Sequence, residues 1–217
     1  MIAVVFALEF ESSYFKAHAK SSPLTEIWLL GLTGRHSGPA MEKRIREEKG
    51  PLPKLVISAG FAGGLQPGLA IGDLMIGENF SDPAILGRLK TGPDWKRGDL
   101  FTADEMAETA ETKHRLGRET GALAVDIETA HVHAVCRKWN LPMLSVRCIS
   151  DLVDDTLPVP APLLLSPDTG RPDPFGLFKY FVTHPQCIPG FNALIKNART
   201  AQARIAGGLK EITDQLG

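Results

Sequence analysis

Three short apolar runs, each stopping at an acid or a glycine, set the strongest limit on what this chain can fold into. Ile2 to Leu8 is apolar throughout and meets Glu9. Leu55 to Ser58 leads into Ala59-Gly60-Phe61-Ala62-Gly63-Gly64, and the mostly apolar Met143 to Ile149 leads into Ser150-Asp151. Runs this short without polar alternation read as strands covered on both faces, which requires helices packed on each side of a sheet. Further strands are expected over Glu26–Leu32, over Ile71–Glu78 after the Pro67-Gly68 turn, and over Ala122–Val125. Between them the spacing predicts a helix opened by Pro39 and running through Glu48, and one from Thr129 to Lys138. Thr102 followed by Glu105 has the form of a capping box and predicts a helix that Gly121 ends. Apolar residues at Leu194, Ile195, Ala198, Ile205, Leu209, Ile212 and Leu216 predict a C-terminal helix over 191–216. Strands alternating with helices make an α/β fold with a central, mostly buried sheet, and 217 residues suit a single domain spanning 1–217.

Charge and cysteine usage then remove several classes of function. Lys plus Arg is 24 against Asp plus Glu at 25, so the chain lacks the basic excess of a protein that binds nucleic acid through charge. Cys136, Cys148 and Cys187 form no CxxC and leave one unpaired, which predicts a reduced, cytoplasmic protein. No basic residue precedes the Ile2–Leu8 run and no stretch reaches the length of a transmembrane segment. Half of the 16 prolines fall between Pro158 and Pro189, which marks 158–190 as a Pro-rich variable segment.

Candidate chemistry gathers where strands end, the usual place for ligands in open α/β sheets. Glu9 and Glu11 follow the first run, Gly60 to Gly64 the third strand, Asp126 and Glu128 follow Val125, and Asp151 follows Ile149. Each acid taken singly also suits a solvated loop or a helix start, and the glycines suit either a pocket wall or a tight turn. His131 and His133 sit two apart on the expected helix and point to different sides, and an ExxH pair such as Glu128 with His131 does not make a site by itself, so no metal site is expected. Cys148 lies inside an apolar strand, where a thiol is inert.

The ordered set Ala7-Leu8-Glu9-Phe10-Glu11, Ser58 to Leu65 with Gly72-Asp73, Gly98-Asp99-Leu100-Phe101, Val125-Asp126-Ile127-Glu128 and Val146 to Asp151 resembles the nucleoside phosphorylase and nucleosidase family. That family includes purine nucleoside phosphorylases and methylthioadenosine/S-adenosylhomocysteine nucleosidases. The resemblance implies a mixed sheet, a homodimer, a small-molecule purine nucleoside as partner, and no cofactor, with phosphate as co-substrate only in a phosphorylase. It places Asp151 as the acid that protonates N7 of the leaving purine, beside Ser150, and Glu128 as acceptor for the ribose 2′- and 3′-hydroxyls, with Ile127 under the sugar. It places Phe101 against the base, the Thr102 backbone at the base edge, Gly60 and Phe61 in the pocket wall, and Glu11 on the attacking water. Such an acid must hold a proton near neutral pH, so burial is expected to keep Asp151 protonated.

Phosphorylases of this kind carry an Arg ahead of a Gly-Ser pair in the third-strand loop. Here Ser58 to Gly64 has no Arg and Phe61 stands where Ser often does, which favours water. Arg35 and Arg147 remain candidates for an anion site. After Asp151 come Asp155-Thr156-Leu157-Pro158, the Pro-rich stretch, Thr183-His184-Pro185-Gln186 and an Ala/Arg-bearing helix. This order is similar to the hopanoid-biosynthesis-associated branch, which implies an adenine nucleoside with a bulky 5′ group such as adenosylhopane. Phe175, Leu177, Phe178, Tyr180, Phe181 and Val182 would then either line an apolar channel or pack as a core or dimer-contact helix. A phosphate-dependent phosphorylase, a methylthioadenosine/S-adenosylhomocysteine nucleosidase and a non-catalytic nucleoside-binding protein are the alternatives.

Overall fold

The computed structural model describes residues 1–31, 34–166 and 171–217; the last residue of the expected Glu26–Leu32 strand lies outside them. Among the described residues eight strands form one mixed sheet. They are β1 (Ile2–Phe6), β2 (Thr25–Leu29), β3 (Leu55–Gly64), β4 (Leu74–Gly77), β5 (Trp95–Gly98), β6 (Leu100–Thr102), β7 (Ala124–Asp126) and β8 (Met143–Asp151). The main path runs β2-β1-β3-β8-β4-β5, parallel except that β4 is antiparallel to β8. β7 branches off antiparallel to the end of β3 and carries β6 alongside it in parallel.

The helices are α1 (Glu9–Ser12), α2 (Lys16–Ser21), α3 (Ser37–Glu47), α4 (Pro83–Arg88), α5 (Ala110–Thr120), α6 (Thr129–Lys138), α7 (Ala161–Leu164), α8 (Pro174–Thr183) and α9 (Ile188–Leu216). Alternation along β1 shows how the layers are sorted. Ile2, Val4 and Phe6 join Ile205, Leu209 and Ile212 of α9 on one face. Ala3 and Val5 join Met41 and Ile45 of α3 and Val132, Val135 and Cys136 of α6 on the other. Both faces are therefore covered, as the unbroken apolar runs require.

Two expectations are corrected. Gly60–Gly64 is neither loop nor turn: β3 continues through it, hydrogen-bonded to β8. Thr102 does not open a helix; it ends β6, and α5 begins eight residues later with the Thr109 hydroxyl accepting from the Thr112 N–H at 3.1 Å. Gly121 closes α5 as expected, in the left-handed region at φ 69°. The proline-rich segment 158–190 contains α7 and α8, since Pro160 and Pro174 stand at helix starts, where a missing N–H costs nothing. Among the described residues no helix is long and apolar enough to cross a membrane.

One close contact of α5 sets the depth at which Lys113 is buried. A Cβ placed on Gly117 would lie 2.4 Å from the Leu65 carbonyl oxygen, so the helix approaches the end of β3 as only glycine allows. Lys113, one turn earlier on the same face, is carried inward with it. Gly117→Ala is expected to destabilise the fold by about 1–3 kcal/mol despite the better helix propensity of alanine. Urea unfolding measures this; a stabilised variant would show that the contact yields without cost.

Candidate active site

Glu11 owes its position to two backbone donors. It lies in the first turn of α1, and its Oε2 accepts from the Leu8 N–H at 3.1 Å, as an acid near a helix start should. Its Oε1 accepts from the Phe61 N–H at 3.1 Å, which ties α1 to β3. A Cβ on Gly60 would lie 2.9 Å from Oε1, so the glycine makes room for the carboxylate. Burial pushes the Glu11 carboxyl above the ordinary range, opposed by these two bonds and by the Arg147 charge. Phe61 sits edge-on to Phe10, with centroids 6.3 Å apart.

The acids after β7 divide sharply. Asp126 is buried and fully engaged: its Oδ2 takes the Arg147 Nε at 2.9 Å and the Thr129 N–H at 3.1 Å, and its Oδ1 takes the Thr102 hydroxyl at 2.8 Å. The Thr102 hydroxyl accepts in turn from the Ala130 N–H at 3.0 Å. Asp126 and Thr102 together cap α6, so Glu128, the residue preceding the helix, is free of that duty and makes no side-chain cap bond. The Glu128 carboxyl is pushed up to about 8, first by burial, then by the negative charges of Asp126 and Glu11, against the attraction of Arg147. An acid at a helix start is commonly a cap; here the capping falls to its neighbours.

Arg147, 2% exposed, organises this cluster from the middle of β8. Besides Asp126 it donates to the Ser58 and Val146 carbonyls at 2.8 Å, to the Ser58 hydroxyl at 3.1 Å and to the Thr129 hydroxyl. All three of its nitrogens are engaged within the protein. Glu11, Ser58, Gly60, Glu128 and Arg147 line one small cleft at the carboxyl end of β1, beside the middle of β3. Arg35 lies exposed in a single 3-10 turn, Gly34–His36.

Asp151 stands apart from that cleft lining, on the other side of the β3 glycines. Ser150 is an extra residue on β8 opposite the Ala62/Gly63 step, a β-bulge that re-aims the Asp151 side chain. A Cβ on Gly63 would lie 2.9 Å from the Asp151 Oδ2 and 3.5 Å from Val125. The Ser150 hydroxyl donates to Asp151 Oδ1 at 2.8 Å, and Oδ2 is ion-paired with Lys113. Lys113 is 1% exposed and donates further to the Leu152 and Asp155 carbonyls, at 2.9 and 3.0 Å. Asp151 is thus held by a buried ammonium, a partner the sequence reading did not foresee. Ile127 follows β7 directly, and Phe101 on β6 packs with Val125, Leu65 and Leu116.

Two sequence expectations end differently in the structure, one displaced and one met. Phe175, Phe178 and Val182 are strongly exposed and do not line the cleft with Glu11 and Glu128. Cys148 is buried in β8, and burial pushes its thiol up to about 12. Lys113 is hidden from sequence reasoning because its surroundings, Glu-Thr-Lys-His-Arg, look like a solvated face. The lone charge inside the otherwise apolar β8 run is the available signal for the Arg147–Asp126 pair.

Part of the sequence and the fold as a whole are similar to known proteins. A sequence profile of the phosphorylase superfamily matches residues 77–164. The chain is 24% identical to the 5′-methylthioadenosine/S-adenosylhomocysteine nucleosidase of Mycobacterium bovis, over 46% of this chain and 59% of that protein. The matched region thus spans less than two thirds of the curated relative. The fold superposes on the nucleosidase of the same description from Neisseria meningitidis, solved with methylthio-immucillin-A. There the TM-score is 0.69 at 19% identity, covering 98% of this chain and 97% of the other. Futalosine hydrolase of Helicobacter pylori also matches, with a TM-score of 0.61 at 19% identity over 98% and 97% of the two chains.

Proposed function

We propose that this chain is a member of the nucleoside phosphorylase and nucleosidase family, to which residues 77–164 and the fold are similar, and that it hydrolyses the N-glycosidic bond of an adenine nucleoside. The observation that carries the reading is the division of labour among the acids. Asp126 is consumed by Arg147 and the α6 terminus, whereas Glu11 and Glu128 face one cleft and Asp151 stands across the β3 glycines. In the proposed reaction the C1′–N9 electron pair leaves with adenine, and N7 takes the proton that the Asp151 carboxyl carries when the nucleoside is bound, the proton that water returns to it in the last step. The Lys113 ammonium stabilises the carboxylate left behind. Glu128 holds the ribose diol and stabilises the positive charge that develops on the sugar. Water held by Glu11 adds to C1′ and loses its proton to that carboxylate. Ile127, Phe101, the Thr102 backbone, Ser150, Gly60 and Phe61 complete the proposed sugar and base contacts.

Water is favoured over phosphate because the Arg147 nitrogens are engaged within the protein and two carboxyls share its cleft. The 5′ group is taken as large and apolar, adenosylhopane being the candidate, on the likeness of the C-terminal third alone. The homodimer and cytoplasmic location implied by the sequence belong to the same proposal. Adenine release from 5′-methylthioadenosine, S-adenosylhomocysteine and a long-chain 5′-alkyl adenosine, with and without phosphate, tests it. The expected result is phosphate-independent release, fastest for the alkyl adenosine. Strict phosphate dependence would make the chain a phosphorylase, and tight binding without release would make it a binding protein.

Glu128 also predicts a pH dependence. In the free protein its carboxyl keeps a proton up to about pH 8. A ribose diol donates two O–H bonds and so selects the ionised acceptor. Binding therefore releases a proton, and the Kd of a non-cleavable adenosine analogue should fall by up to about tenfold per pH unit between roughly pH 6 and 8, then level off. Calorimetric titration in two buffers reads the released proton. A flat profile, or one unchanged in Glu128→Gln, would remove Glu128 from the diol site.

A further inference from the structure

We propose that α8 and the first half of α9 form a surface that docks on an anionic lipid bilayer. This goes beyond the reaction proposed above and does not rest on it. No residue from Pro174 to Thr200 is buried; the buried positions of α9 begin at Ala201. α8 is nonetheless rich in apolar residues, and Phe175, Phe178 and Val182 are 77%, 67% and 66% exposed. Their spacing of three and then four residues puts them on one stripe of the helix, pointing away from protein. The opposite side is packed: Phe181 meets Phe191 of α9 at 4.9 Å, and Tyr180 stacks on His184 at 4.3 Å. The stripe is therefore displayed by an ordered hairpin, and contiguous exposed apolar surface of this kind marks an interaction face.

Charge identifies the occupant. From Pro174 to Thr200 the chain carries Lys179, Lys196 and Arg199 and no Asp or Glu, although the whole chain balances 24 basic residues against 25 acidic ones. Among the described residues none of these three makes an ion pair. Lys179 adjoins Phe178 and lies one turn from Phe175. A twofold contact with a second copy would set this patch against itself and bring unneutralised cations together. A bilayer bearing anionic headgroups neutralises them while its acyl boundary receives the phenyl rings. With no described helix able to span the membrane, the contact is peripheral.

Flotation of the full chain with vesicles tests this. The protein is expected to float with phosphatidylglycerol vesicles at low salt, to be released as salt rises, and to stay behind with pure phosphatidylcholine. Phe175→Ser with Phe178→Ser, and separately Lys196→Glu with Arg199→Glu, are each expected to weaken partitioning by about tenfold or more. All four side chains lie outside the core, so circular dichroism should be unchanged. Absence of flotation with phosphatidylglycerol, or equal flotation with both lipids, overturns the proposal. So does a sedimentation result in which the native chain is a dimer and the Phe175→Ser, Phe178→Ser variant a monomer, because the stripe then belongs to a second copy.

Discussion

Asp151→Asn is expected to lower adenine release by about 10²–10⁴, the usual contribution of a positioned proton donor, while the protein stays folded. Asparagine is the informative replacement because its amide oxygen can still accept from Lys113, whose other two bonds go to the Leu152 and Asp155 carbonyls and do not involve the side chain. The buried ammonium is therefore not left without partners, and the loss reports chemistry more than collapse. What asparagine cannot do is pass a proton to N7, so the adenine anion must leave unneutralised. Lys113→Met makes the complementary point: Asp151 then keeps only the Ser150 hydroxyl as a side-chain donor. If Lys113 stabilises the carboxylate after proton transfer, this variant should lose rate and change the pH profile of kcat, with a smaller change in KM. Near-native turnover by Asp151→Asn would sink the proposed mechanism, and loss of the folded circular dichroism signal would show that the Lys113 pair is structural first.

The elements that were legible in the sequence are those whose signal is local. β1 and β8 announce themselves because both faces are covered, and α6 because its apolar positions recur at helical spacing and its bounds are cut by Glu128 and Pro142. The segments that misled are those whose residues answer to distant partners. Gly60 and Gly63 look like loop glycines, yet they lie in β3 because the carboxyls of Glu11 and Asp151 fill the space where a Cβ would be. Thr102 carries a capping motif and does cap a helix, but the helix is α6, reached across the β6–β7 ladder. Lys113 is buried one turn before Gly117, where α5 comes close against the Leu65 carbonyl. Glu11, Asp126, Glu128 and Asp151 do lie at or just after strand ends; which of them caps a helix, pairs with a cation or faces the cleft depends on contacts between strands that no local pattern encodes.

Arg147→Met is expected to be the most damaging single change to stability, at about 3–5 kcal/mol, because it leaves a buried carboxylate unpaired. Asp126 would retain Thr129 and Thr102 but lose the guanidinium, and the Ser58 carbonyl would lose its side-chain donor. Glu11 and Glu128 would also lose the cation that holds their carboxyls down, and three acids would face one another without a counter-charge. Removing Arg147 raises the folded-state pKa of Glu11 and Glu128 further above the unfolded value of about 4.5, so the folded state binds more protons than the unfolded one. Stability is then fullest below about pH 4.5 and is lost as pH rises through the raised values, so the deficit of Arg147→Met should be smallest near pH 4–5 and grow toward pH 8. Urea unfolding at several pH values measures this. Adding Asp126→Leu should return part of the loss at neutral pH, since it removes the stranded charge along with its partner. A deficit independent of pH, or a double variant no better than the single, would mean that Arg147 acts through packing and its bonds to Ser58, with the acids of the cleft uncoupled from it.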